Sequence, residues 1–359
     1  MTTPRVAGRT LSRRSMLAGA LGALGVVATG GLVVPLAGAE GTRKYGFPAD
    51  ERFRVLVTGD AGTDGAEHFA VTGAALAEHR RRPFGMALGL GDNIYEYGPF
   101  SSDDPQFESK FEKPNDGLDF PWLMAQGNHD NSGLLPGTGD WEARGQYEVE
   151  YHERSRRWFM PARYYSVRVP EDRPVAEFFV IDTNPVTSYV PQLLPYWTFN
   201  GEYMHRQRRW LRAGLASSPA RYRFVCSHHP YVNNGPHGNA GSYDGITIGN
   251  YASGRHLKTW YEQDVLGTAH AILSGHDHSQ QVLEPVRGTV QVVSGAASKT
   301  VNGSSRVTNP YDFQDFTGYG FMAMDVSPEG VDLAVHRVDT ETERSEVVHR
   351  QRLATHARD

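Results

Sequence analysis

Short apolar runs recur along the chain, each about the length of a buried β-strand and each closed by a polar or glycine-containing turn. Residues 54–58 lead into Gly59-Asp60-Ala61-Gly62, residues 84–90 into Gly91-Asp92-Asn93-Ile94-Tyr95, and residues 120–125 into Gln126-Gly127-Asn128-His129-Asp130. Further on, residues 221–226 lead into Ser227-His228-His229-Pro230, and residues 269–273 into Ser274-Gly275-His276-Asp277-His278. Between the first two runs, Ala66–Arg81 has helical periodicity, with Phe69, Val71 and Leu76 on its apolar side and Arg80, Arg81 and Arg82 at its C-terminal end, where cations suit the helix dipole. Strand, helix and strand in this order predict a βαβ unit with Asp60 and Asp92 at the tips of neighbouring parallel strands. That edge is where open α/β sheets collect their ligands.

The remaining pattern predicts an antiparallel pair at 164–169 and 175–182, helices at 202–216 and 255–266, and strands at 289–293, 320–326, 331–338 and 345–350. Residues 131–160, 183–200 and 233–250 lack a regular period and are predicted as loops. Strands continue to the end of the chain, so residues 53–359 are predicted to form one domain.

Composition narrows the possible partners. With 39% hydrophobic and 21% charged residues the chain is typical of soluble globular proteins, and its net charge of -5 supplies no basic field for nucleic acid. Residues 1–39 hold Arg5, Arg9, Arg13 and Arg14 and no acid, so the remainder carries about -9. This segment has a basic start, an apolar stretch at 16–36 and then Ala37-Gly38-Ala39, a small-residue cleavage pattern. Its Ser12-Arg13-Arg14-Ser15-Met16-Leu17 resembles a twin-arginine export signal. The expectation is a signal peptide at 1–39, a linker at 40–52, the twin-arginine export machinery as a partner, and a periplasmic, cell-surface or secreted product with no membrane span after cleavage. Retention of the apolar stretch as a single anchor is the alternative. The lone Cys226 excludes an internal disulfide and a thiolate cluster, and within an apolar run it is expected to be a small buried hydrophobe.

Each strand end taken singly reads as a turn or a satisfied histidine. Gathered on one carboxyl edge, Asp60, Asp92, Tyr95, Asn128, His129, His228, His276 and His278 point to metal. Asp92 can bridge two ions; Asp60 and Tyr95 offer hard anionic oxygens suited to a trivalent ion, whereas imidazoles and the Asn128 amide suit a divalent one. Paired cations serve phosphoryl chemistry, because one generates hydroxide at moderate pH and both stabilise the attacking and leaving oxygens.

The ordered set Gly59-Asp60, Gly91-Asp92-Asn93, Gly127-Asn128-His129-Asp130, His228 and Gly275-His276-Asp277-His278 resembles the calcineurin-like metallophosphoesterases over roughly residues 53–300. Within them, Asp92-Asn93-Ile94-Tyr95 is similar to the purple acid phosphatases, the small tartrate-resistant type in particular. The resemblance implies an α/β layered sandwich of two mixed β-sheets flanked by helices. It also implies Fe(III) held by Asp60, Tyr95 and His278, a divalent ion (Fe, Zn or Mn) held by Asn128, His228 and His276, and Asp92 between them. His129 would contact phosphate and donate a proton, Asp130 would orient it, and His237, nine residues after His228, would be a second active-site histidine. Two of these residues keep a rival reading: His237 as a solvent-exposed loop residue and Tyr95 as a plain pocket wall. His229 stands where the small enzymes often carry Tyr. The implied activity is acid-phosphatase-like hydrolysis of a small phosphate monoester. A phosphodiesterase or nucleotidase on the same scaffold, or a non-catalytic metal- or phosphate-binding protein, are the alternatives.

Overall fold

The computed structural model describes residues 32–34, 46–140, 142–188, 195–301 and 305–353. The chain divides into two units, residues 1–30 and 31–359. The first unit lies outside the described residues, as do the expected Arg13-Arg14 signal, the Ala37-Gly38-Ala39 pattern and the start of the 40–52 linker.

In the second unit the strands and helices follow as β1 (Leu32–Val34), β2 (Phe53–Thr58), α1 (Ala66–Arg81), β3 (Met86–Leu90), β4 (Trp122–Ala125), α2 (Glu142–Tyr151) and β5 (Trp158–Phe159). Next come β6 (Tyr165–Val169), β7 (Ala176–Val180), α3 (Glu202–Ser217), β8 (Tyr222–Cys226), α4 (Arg255–Asp264) and β9 (Ala271–Ser274). Six strands close the unit: β10 (Gln280–Val286), β11 (Thr289–Ser294), β12 (Tyr311–Asp315), β13 (Tyr319–Ser327), β14 (Gly330–Asp339) and β15 (Arg344–Leu353).

They assemble into two mixed sheets, one ordered β15-β14-β13-β2-β3-β4-β5 and the other β1-β6-β7-β8-β9-β11-β10-β12. Each sheet has a parallel centre, β2 to β5 in the first and β7, β8, β9 and β11 in the second. Apart from the partly exposed Arg54 of β2, these central strands are buried along their whole length, as parallel strands covered on both faces must be. Their side chains, among them Val55, Leu88, Leu123, Phe178, Phe224 and Leu273, share one apolar core with Met322 and Val335 of the antiparallel flank. This is the two-sheet, helix-flanked α/β sandwich expected from the sequence. Among the described residues no helix is long and apolar enough to cross a membrane.

The structure departs from the sequence pattern in three places. Residues 131–160 contain α2 and β5 rather than only loop; α2 is largely polar, with Val149 and Tyr151 against the core, and it also buries Glu148 beside Asn93, whose Nδ2 donates to it at 3.4 Å. Strands β10 and β12 were also unmarked. The β10 strand opens with Gln280 and Gln281, both fully buried, whose amide NH₂ groups donate to distant acceptors, Gln280 Nε2 to Phe321 O at 3.1 Å and Gln281 Nε2 to Asn233 Oδ1 at 3.1 Å. On α1, Phe69 is 41% exposed, because Val71, Ala74, Ala75 and Glu78, at helical spacing, form the buried face.

Candidate metal centre

The carboxyl ends of the two parallel centres face one another, and the expected donors meet between them in two groups. In the first, Tyr95 OH donates to Asp60 Oδ1 at 2.9 Å and lies 3.0 Å from His278 Nε2, which is itself 3.6 Å from Asp60 Oδ1. In the second, Asn128 Oδ1 lies 2.9 Å from His228 Nε2 and 3.1 Å from His276 Nδ1, with the two imidazole nitrogens 3.2 Å apart. Asp92 stands between the groups, its Oδ2 3.4 Å from His228 Nε2, and donor atoms of Asp60, Asp92 and His228 all fall within 4.8 Å of one another.

The backbone is shaped for this convergence. Asp60, Asp92 and His276 adopt left-handed conformations with φ of 57, 53 and 71°, each costing on the order of 1 kcal/mol or more that the surrounding fold must offset. Two glycines permit the close approach. A Cβ on Gly91, which has φ of 88°, would lie 2.7 Å from His228 Nδ1, and one on Gly275 would lie 2.5 Å from Asp60 Oδ2. His228 Nδ1 faces Leu90 O at 2.9 Å, so its proton sits there and Nε2 turns its lone pair into the site.

The charges are unbalanced without a cation. Burial pushes Asp60 well above the usual carboxylate range, with His228 pulling the other way. Burial opposes charge on Asp92 too, but His228 and His129 overcome it and hold that carboxyl below its ordinary value. Burial would lower His228, yet the charge of Asp92 lifts it to about 9. Burial keeps His276 and His278 neutral, His278 down at about 3. Without a cation, then, Asp60 is driven towards its neutral form and His228 holds a proton against Asp92, while His276 and His278 keep free lone pairs; a cation would take the place of those protons. That donor chemistry fits a pair of metal ions, an oxygen-rich position at Asp60, Tyr95 and His278 and a nitrogen-rich one at Asn128, His228 and His276.

Residues 53–280 match the family model described as calcineurin-like phosphoesterase. The chain belongs to that family. It is 27% identical over 290 residues to purple acid phosphatase 4 of Arabidopsis thaliana, covering 77% of this chain and 78% of that one. It is also 26% identical over 221 residues to the human (Homo sapiens) tartrate-resistant acid phosphatase type 5, covering 59% of this chain and 60% of the relative. Among solved structures it resembles a purple acid phosphatase from yellow lupin (Lupinus luteus) seeds, with a TM-score of 0.57 at 15% identity over 84% of this chain and 54% of the other. A Plasmodium protein described as the anchor in the inner membrane complex gives a TM-score of 0.66 at 16% identity over 86% and 90% of the two chains. At such identities these structures speak for the fold alone. By family and relatives the chain is a metal-dependent phosphoester hydrolase.

In this phosphoesterase a cavity of about 270 Å³ opens over the donors, lined by Asp92, Asn128, His129, Gly137, His237 and His276 among others. His129 donates its backbone N–H to Asp92 Oδ1 at 2.9 Å, and its Nδ1 lies 2.7 Å from Glu96 O. The Nδ1 proton is spent on that carbonyl, which leaves Nε2 free. His237, which sequence alone left between two readings, packs its ring 4.2 Å from that of His276 and sets Nδ1 2.8 Å from Asp244 Oδ1; burial, then His228, lowers it to about 4.

Among the described residues the Asp130 carboxylate makes no hydrogen bond to the His129 ring that it was expected to orient. It accepts the backbone N–H groups of Asn93, Ile94 and Gly127 at 2.8, 2.9 and 2.7 Å, tying the loop after β3 to the loop after β4. The group against His129 is Glu96, whose Oε2 lies 3.6 Å from Nδ1. Lys299 pairs with Glu96 at 2.6 Å and places Nζ 3.6 Å from the centre of the Tyr95 ring. Both residues escaped the sequence reading. Lys299 follows Ser294-Gly295-Ala296-Ala297-Ser298 at the end of β11, so the strand-end criterion applied to one more parallel strand would have reached it.

Proposed function

We propose that this phosphoesterase is an exported enzyme of the purple acid phosphatase kind that hydrolyses phosphate monoesters at an Fe(III)–divalent centre. The observation that carries the reading is the sorting of the donors: an oxygen-rich set of Asp60, Tyr95 and His278, a nitrogen-rich set of Asn128, His228 and His276, and Asp92 between them. When bound, two cations supply an activated water and neutralise charge on the attacking and leaving oxygens. The protein's own part is to hold Asp92 ionised, to keep His276 and His278 neutral, and to aim His129 Nε2 at the cavity, where the ring in its imidazolium form gives its Nε2 proton to the departing alkoxide and is left neutral with its proton on Nδ1. His237 forms the cavity wall opposite, fixed through Asp244. Export rests on the Arg13-Arg14 signal and the Ala37-Gly38-Ala39 pattern.

Two arms of one experiment test this. Purified protein is analysed for metal and scanned in the visible range, then assayed on aryl and alkyl phosphate monoesters beside a diester. Tyr95→Phe is expected to remove a phenolate charge-transfer band; a colourless, fully active zinc or manganese protein would defeat the iron assignment while leaving the phosphatase. His129→Ala is expected to lower kcat on an alkyl phosphate by roughly 10²–10⁴-fold and to hurt an aryl phosphate with an acidic leaving group far less. Equal losses on both would remove His129 from the role of acid.

A further inference from the structure

His229 is 2% exposed beside the nitrogen-rich set, and none of the roles above uses it. Its ring centre lies 4.4 Å from that of His276 and 4.9 Å from that of His228, and one ring nitrogen from each of the three falls within 4.8 Å of the others. Its backbone is pinned, with Tyr261 OH donating to His229 O at 3.0 Å.

The two hydroxyls on its other side decide which nitrogen is free. Thr187 Oγ1 donates its single hydrogen to Thr183 O at 2.9 Å, so to His229 Nδ1, 3.3 Å away, it can offer only a lone pair. A proton on Nδ1 is the one arrangement that makes both contacts favourable, since it also donates to Thr183 Oγ1 at 2.8 Å. In that tautomer Nε2 keeps its lone pair, and among the described residues it has no hydrogen-bond partner. A buried imidazole held at Nδ1 by a hydroxyl, with Nε2 free beside two other imidazoles, is the arrangement of a metal ligand backed by an orienting group.

We propose that His229 Nε2 is a further ligand of the divalent ion and that it makes this position select zinc over manganese. The inference rests on the two-ion reading given above. With His229 the position offers three imidazoles against one amide oxygen and a shared carboxylate. Imidazole suits zinc, whereas carboxylate, carbonyl and water suit manganese and magnesium. Thr183 and Thr187 are then positioning residues that fix the tautomer.

The test uses the full chain, stripped of metal, as wild type, His229→Ala and Thr183→Val. Each is titrated calorimetrically with Zn(II) and with Mn(II), and the Co(II)-loaded forms are compared by visible absorption. His229→Ala is expected to lose at least about tenfold in Zn(II) affinity at one of the two sites, to change little towards Mn(II), and to alter the Co(II) spectrum. Thr183→Val, which keeps the imidazole but frees its tautomer, is expected to shift Zn(II) affinity in the same direction by less. Circular dichroism and the Tm of the metal-free forms show whether each variant is folded. Unchanged Zn(II) affinity and an unchanged Co(II) spectrum in folded His229→Ala would overturn the assignment; if that variant does not fold, unchanged Zn(II) affinity in Thr183→Val overturns it instead. A protein whose Zn(II) binding depends on His229 but which hydrolyses no ester would sink the phosphatase reading and leave this one standing.

Discussion

Asp92→Asn is expected to cut aryl phosphate turnover by at least ~10³-fold, about 4 kcal/mol in the barrier, and to reduce bound metal in parallel. The substitution is a clean probe because the backbone can accept it. Asp92 sits at φ of 53°, a left-handed conformation that Asn tolerates nearly as well as Asp. An Asn oxygen can also keep the 2.9 Å bond from the His129 backbone N–H. What disappears is the charge between the two donor groups and one of the two carboxylate oxygens, and a neutral amide offers a single oxygen where a bridge needs two. Turnover, metal content and circular dichroism of the same preparation check this. A folded variant with full metal content and a rate within tenfold of wild type would show that Asp92 is not the link between the sets.

Asp130→Ala is expected to cost stability on the order of 3–9 kcal/mol, because it strips the acceptor from three buried backbone N–H groups, each worth about 1–3 kcal/mol when left unpaired. Those donors belong to Asn93, Ile94 and Gly127, so the loss falls on the two loops that carry Asp92, Tyr95 and Asn128. Asp130→Asn should cost less, about 1–3 kcal/mol, since one oxygen can still take the Asn93 and Ile94 N–H groups while its amide NH₂ faces the Gly127 donor. Urea denaturation of the metal-free forms measures the ranking, and metal titration of the folded fraction measures the displacement of the loops. Equal stability of Asp130→Ala and wild type would mean that the loops hold their shape without this carboxylate.

Much of the site was legible because its residues lie at the ends of apolar runs. The parallel strands are buried on both faces, so they read as short continuous hydrophobic segments, and the residue after each must turn at the carboxyl edge. That rule located Asp60, Asp92, Asn128, His228 and His276 without reference to any fold. It failed where polarity hid structure. Gln280 and Gln281 enter a buried strand where Phe321, His336 and Asn233 accept from their amide NH₂ groups, and no local pattern announces acceptors that far along the chain. In the same way α2 buries Glu148 against Asn93 and Asp130, with burial and then the Asp130 charge raising its pKa well above the ordinary value.

The sequence by itself determined which chemical types stand at the strand ends, because burial and turn chemistry are local demands on residues adjacent in the chain; the single carboxyl edge it suggested is in fact two, one from each sheet. Only the tertiary structure decided what each donor faces. It divided the donors into an oxygen-rich and a nitrogen-rich group, set Asp130 to bracing backbone while Glu96 took the place beside His129, and turned His237 inward. It also set two threonine hydroxyls, more than forty residues away in sequence, against His229 Nδ1. These outcomes depend on distances between separate sheet edges and on which hydroxyl hydrogen is already spent, and such facts exist only once the two sheets have closed on each other.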